Sequence, residues 1–82
     1  MQTFRKRLTI KPGFDAEFHF TKIYITNGVR FHVAVDDGDQ TFYFNMALKN
    51  LEWKIINAPE VPQWVIKVEI QLEEIILESI LN

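Results

Sequence analysis

The chain has 82 residues, 48% of them apolar and 24% charged, with a net charge of −2 and no cysteine. Such a chain makes one domain with one modest core, and its composition excludes global disorder. Disulfide frameworks and thiolate metal sites are excluded by the missing cysteine, and no run approaches the roughly 20 apolar residues of a membrane span.

No apolar run follows the basic residues Arg5-Lys6-Arg7, so no signal peptide is expected and the chain reads as soluble and cytoplasmic. Charge is segregated along it. Residues 1–30 hold six basic groups and two acids, and residues 31–82 hold three basic groups and nine acids. The plain reading is mutual attraction of the two halves, within one fold or between subunits.

Residues 4–10 set Phe4, Leu8 and Ile10 against Arg5, Arg7 and Thr9, with Lys6 breaking the apolar row. This predicts a first strand at a sheet edge, where charges blunt pairing with other chains. Pro12-Gly13 suits the centre of a type II turn. The chain should re-enter the sheet near Glu17.

Three two-residue turns are then expected, at Asn27-Gly28, Asp37-Gly38 and Lys49-Asn50. Asn-Gly and Asp-Gly favour type I′ hairpins because both central residues need φ > 0. The first turn would pair Tyr24 with Phe31 and Phe20 with Val35. The second would pair Val35 with Gln40 and Phe31 with Phe44, and the third Leu48 with Leu51 and Met46 with Trp53. One sheet face would then hold Phe20, Tyr24, Val29, Phe31, Val33, Val35, Phe42, Phe44, Met46, Leu48, Leu51, Trp53 and Ile55. Lys22 is the exception on that face and should lie near an edge or snorkel. The opposite, mostly polar face carries Thr21, Ile23, Ile25, Arg30, His32, Ala34, Thr41, Tyr43, Asn45, Glu52 and Lys54, as expected for an antiparallel sheet wetted on one side.

Asn57-Ala58-Pro59-Glu60-Val61-Pro62 must break the sheet, and Pro62 suits the first turn of a helix. Two periods compete beyond it. Ile66, Val68, Ile70 and Leu72 alternate with polar residues as in a strand, whereas Trp64, Val65, Val68, Leu72, Ile75, Ile76 and Ser79 share one helical face. Length favours a helix, and a sheet with one apolar face needs a second layer. The alternative is a sixth strand at 65–73 with a short helix after it. On a helix, Ile66, Ile70, Leu77 and Leu81 form a second stripe opposite the main face, with Glu69 and Glu73 in the arc between. One sheet can cover only one stripe, so the second is the candidate interaction surface.

Candidate chemistry is sparse. His19, placed across from Asp36, and His32, placed between Ile23 and Tyr43, are the only histidines, and no third strong ligand joins them. Asp36-Asp37-Gly38-Asp39 lacks the spacing of a calcium loop and reads as a hairpin turn. Ser79 is the only serine, so no nucleophilic set exists. Glu73, Glu74 and Glu78 read as a solvated helix face. Arg30, His32, Tyr43, Asn45 and Lys54 share the polar sheet face and are candidates for a small ligand or anion. Tyr43 alone is a poor stacking platform, so nucleic acid is not expected.

The meander ending in Trp53-Lys54-Ile55-Ile56, the proline-containing break, and Pro62-Gln63-Trp64 before an acidic apolar helix resemble, over residues 18–80, small bacterial domains that have no assigned activity. The resemblance implies a helical C-terminus and transfers no functional residue.

The expected fold is α+β: an antiparallel meander of four to five strands in a single domain, residues 1–82, with one C-terminal helix packed on the apolar face. The expected function is a non-enzymatic protein-interaction domain, a homodimer or bound to another protein through Ile66, Ile70, Leu77 and Leu81. No catalytic residue, cofactor, metal or membrane contact is expected. The alternative is a ligand- or anion-binding module on the polar sheet face.

Overall fold

The structure is a computed structural model. It describes residues 2–58 and 60–81; Met1, Asn82 and Pro59 of the proline break lie outside the described residues. Five antiparallel strands follow one another across a single sheet: β1 (Gln2–Lys11), β2 (Phe14–Ile25), β3 (Gly28–Asp36), β4 (Thr41–Lys49) and β5 (Glu52–Ile56). Two helices follow, α1 (Gln63–Lys67) and α2 (Glu69–Leu81). The fold is α+β, with the helical layer on the apolar sheet face. Among the described residues no helix is long and apolar enough to cross a membrane.

The first hairpin forms as its turn chemistry dictates. Pro12 and Gly13 connect β1 to β2, with Gly13 at φ 84°, and β2 begins at Phe14, three residues before the expected re-entry. The three later hairpins keep the expected faces but change the pairing. Ile25 pairs with Gly28, so Thr26-Asn27 is the turn and the positive φ, 139°, falls on Gly28. Asp36 pairs with Thr41, leaving a four-residue loop at 37–40. Lys49 pairs with Glu52, so Asn50-Leu51 is the turn, with φ 52° and 68°.

Each ladder is therefore displaced by two residues from the expected one. A displacement of two preserves faces, because side chains alternate with period two. Core pairing explains the choice. Phe18, which the expected register would set against Asp37, lies opposite Val35, and Val35 lies opposite Phe42 rather than Gln40. The gain from matching large apolar side chains exceeds the preference for Asn-Gly at the turn centre. Three residues expected in the core lie too far toward the hairpin tips to be covered: Tyr24 is 70%, Leu48 53% and Leu51 90% exposed.

The core gathers Phe18, Phe20, Phe31, Val33, Val35, Phe44 and Met46 from the sheet against Val65, Leu72 and Ile76 from the helices, all essentially inaccessible to solvent. Each contributes roughly 1.5–3 kcal/mol by leaving water. β1 joins through Phe4, whose ring stacks on Phe20 at 4.9 Å. The two tryptophans close opposite ends. Trp64 meets Phe14, Phe18 and Phe42 edge-on at 5.0, 6.5 and 6.4 Å, and Trp53 meets Phe31 at 5.2 Å.

The helix that length favours over a sixth strand is present, in two pieces. Pro62 is the N-cap of α1 rather than a residue of its first turn. At Val68 (φ −102°, ψ 14°) the helix is interrupted: the Val68 N–H bonds to the Val65 carbonyl, and the Val68 carbonyl accepts from Leu72. No glycine or proline lies at this break. Val65, Ile66, Val68 and Ile70 are β-branched, which lowers helix propensity locally. Val65 and Val68, before and at the interruption, are buried with Leu72.

Leu51 sits at a left-handed backbone position with its side chain in solvent, where Gly would relieve strain. Leu51→Gly should stabilise the fold by about 1 kcal/mol, raising Tm by roughly 4–8 °C in thermal unfolding. A lower Tm would contradict the type I′ assignment.

Candidate functional site

The sheet has two edges, and they are treated differently. At the β5 edge the outward N–H groups of Trp53 and Ile55 donate to Glu73 Oε2 at 2.7 Å and Glu69 Oε2 at 2.8 Å. The spacing explains the fit. Four residues of helix advance about 6 Å, and two residues of strand advance about 6.7 Å, so a Glu pair at i, i+4 matches alternate strand amides. Glu73 is thus not part of a solvated helix face, as its sequence neighbours suggested. Lys54 Nζ lies 3.9 Å from Glu69 and 3.6 Å from Glu52. The opposite edge, β1, carries Arg5, Lys6, Arg7 and Lys11 and no acid.

Anchoring α2 in this way fixes which side chains face outward. Leu72, Ile75 and Ile76 are buried, and Ser79 Oγ bonds back to the Ile76 carbonyl at 2.7 Å. Ile70 and Leu81 are 68% and 82% exposed, and Ile66, Leu77 and Ile80 are exposed beside them. Among the described residues nothing covers Ile70 or Leu81, whereas Ile66 and Leu77, at 39% and 41% exposure, are partly covered. Residues 12–17 cannot supply a cover, because Phe14 is committed to Trp64 on the sheet side.

On the outer sheet face the five ligand candidates separate. His32 lies between Thr21 and Asn45 across the strands, not between Ile23 and Tyr43. Its Nδ1 is 3.1 Å from Asn45 Oδ1, and its ring stacks on Tyr43 at 5.9 Å. Lys54 is held by the two glutamates. Arg30 lines a groove at the end of the sheet with Lys22 and Lys49. His32 therefore binds Asn45 and stacks on Tyr43, and Arg30 takes part in neither contact.

His19 pairs across from Ala34, and Asp36 lies opposite Glu17, so the expected His19–Asp36 juxtaposition is replaced by a diagonal one. His19 Nε2 instead lies 3.3 Å from Glu17, which also meets Arg7 at 3.7 Å and Arg5 at 4.0 Å. These are exposed pairs of small energetic value. Among the described residues no three His, Asp or Glu side chains converge to hold a metal ion.

Sequence reasoning missed Lys22, Lys49, Trp53 and Ile80 as neighbours, since their meeting depends on where one ladder ends. Lys22 lies on the second strand rather than at an edge, with its ammonium 5.4 Å from the Tyr24 ring centre. The Glu69/Glu73 pair did carry a signal: two carboxylates spaced i, i+4 inside an otherwise apolar arc.

The aspartate cluster serves its own loop. Asp36 Oδ1 accepts the Gly38 N–H at 2.7 Å, and Asp37 Oδ1 accepts those of Asp39 and Gln40 at 2.8 and 2.9 Å. The Gln40 N–H first, then that of Asp39, holds the Asp37 carboxyl below the usual aspartate value of 3.8. A lowered folded-state pKa adds stability that is present above the unfolded value and lost as pH falls through the folded one. Asp37→Asn keeps the acceptor oxygen but cannot titrate. Urea midpoints taken from about pH 5 to about pH 2 should fall more steeply for the native chain than for Asp37→Asn. Parallel profiles would contradict the assignment.

Comparison with protein-family models, curated proteins and solved structures gives no match for this chain.

Proposed function

We propose that this chain is a non-enzymatic protein-interaction domain that pairs with a second copy of itself through the outer face of α2. The observation that carries the reading is the exposure of Ile66, Ile70, Leu77 and Leu81 opposite the buried face of the helical layer. Exposed apolar surface of this kind marks association more often than it stands alone.

The spacing favours a second copy as the occupant. The four residues are placed symmetrically about the point between Glu73 and Glu74. Two antiparallel copies of α2 related by a two-fold axis through that point set Ile70 against Leu77, twice over, with Leu81 of α2 and Ile66 of α1 at the ends of the contact. That is the self-complementary arrangement of an isologous interface. Glu74 is the cost, since two copies of it approach the axis.

The contact is short, so the dimer should be of modest affinity. The layout resembles that of bacterial domains, and the cysteine-free composition is compatible with a reducing cytoplasm.

Light scattering on a sizing column tests this across a hundredfold concentration range. The mass should rise with concentration from 9.7 kDa toward twice that value. Ile70→Asp with Leu77→Asp should hold the protein at monomer mass with unchanged circular dichroism, and Glu74→Gln should tighten the dimer. A monomer at every concentration, or a dimer indifferent to the double substitution, would overturn the proposal.

A further inference from the structure

The β3–β4 ladder stops at the pair Arg30 and Ala47, while β2–β3 pairing continues to Ile25 and Gly28 and β4–β5 pairing to Lys49 and Glu52. The two hairpins therefore diverge at this end of the sheet, as strongly twisted two-stranded ribbons do when nothing ties them together. Between and beneath them lies a groove of about 600 Å³, within the size range of small-ligand sites. Val29, Leu48, Trp53 and Ile80 supply its apolar wall.

Its charged lining is of one sign. Among the described residues Lys22, Arg30 and Lys49 line the groove and no carboxylate side chain does, although the chain as a whole is acidic. Among the described residues none of these three cations has a carboxylate within 4.0 Å; Arg5, Arg7 and Lys54 are paired, and Lys6, Lys11 and Lys67 are not, so it is their gathering at one groove that sets these three apart. Arg30 Nε is shielded from solvent and makes no hydrogen bond, the only buried side-chain polar atom in that condition among the described residues. Buried polar groups of native proteins nearly always have a partner, so an unpartnered guanidinium nitrogen at a groove points to a missing acceptor.

We propose that this groove binds an amphipathic anion: a small molecule with a carboxylate or phosphate head and an aliphatic tail. The head sits between Arg30 and Lys49, where the planar guanidinium fork suits a carboxylate or phosphate oxygen pair. The tail lies on the wall formed by Leu48, Ile80 and the edge of Trp53. An extended peptide strand fits less well, because each hairpin offers only two residues beyond the last β3–β4 pair. A stacked base fits less well too, because Trp53 is 95% buried, being only 5% exposed, and its ring is held by Phe31. The site does not depend on dimerisation through α2.

Titration with dodecanoate below its micellar concentration, followed by calorimetry and by amide and indole chemical shifts, tests the proposal. Dodecanoate should saturate a single site and shift Gly28, Arg30, Lys49 and the Trp53 indole. The Trp64 indole, at the far end of the core, should not move. Dodecyltrimethylammonium, with the same tail and a cationic head, should bind about tenfold more weakly or worse, as should inorganic phosphate alone. Arg30→Gln with Lys49→Gln should lose about tenfold in affinity or more with circular dichroism unchanged. Lys49→Gln alone, at an exposed position, gives a smaller loss should the pair perturb folding. The Ile70→Asp, Leu77→Asp protein should bind as the native chain does. Absence of saturable binding, equal binding of the cationic amphiphile, phosphate binding as tight as dodecanoate, or shifts spread over the whole molecule would overturn it.

Discussion

Two carboxylates on one helix meeting two amides on one strand are the contact on which the rest of the arrangement depends. Glu69 and Glu73 take the N–H groups of Ile55 and Trp53 that β5, as the last strand, would otherwise present to solvent or to another chain. An exposed edge is a template for unwanted pairing, and covering it is one of the few ways an open sheet can be kept solitary. Side-chain capping does this here without a sixth strand. Hydrogen bonds to a charged acceptor are also stronger than neutral ones, so the contact anchors the helix as well as sealing the edge.

The helix position then determines the molecule's surfaces. With its glutamates on β5, α2 has one rotation about its axis that buries Leu72, Ile75 and Ile76 against the sheet. The same rotation leaves Ile70, Leu77 and Leu81 in solvent. It also carries Ile80, near the helix end, to the groove where the two hairpins diverge. The outward stripe and the cationic groove are thus two consequences of one anchoring geometry. The break at Val68 makes that geometry compatible with the other end of the core, where Trp64 must reach Phe14, Phe18 and Phe42.

How much of this was legible in the sequence depends on the range of the interaction involved. Alternation is local, so the faces of β2 to β5 could be read directly, down to the inward Phe31, Phe44 and Trp53. Register is decided by pairs such as Phe18 with Val35, distant in sequence, and local turn preference at Asn27-Gly28 and Asp37-Gly38 pointed two residues away. Asn50-Leu51 is the sharpest case: nothing about an exposed leucine announces a left-handed backbone, and its φ follows from the pairing of Lys49 with Glu52. The ladder displacement also explains why the polar-face candidates came apart. Moving β3 by two residues relative to β2 took His32 from Ile23 to Thr21. His32 then found Asn45 and Tyr43 as partners, and Arg30 was left facing the groove. The second stripe on the helix was legible because it needs only helical periodicity and a count of what one sheet can cover.

Amide hydrogen exchange read residue by residue tests the anchoring most directly. If the two glutamates seal the β5 edge, the Trp53 and Ile55 amides will exchange far more slowly than the outward amides of β1 at the opposite edge, which no group among the described residues caps, although both strands end the same sheet. Trp53 and Ile55 amides that exchange as fast as those outward β1 amides would mean that α2 is not held there, and the account of both outer surfaces would fall with it.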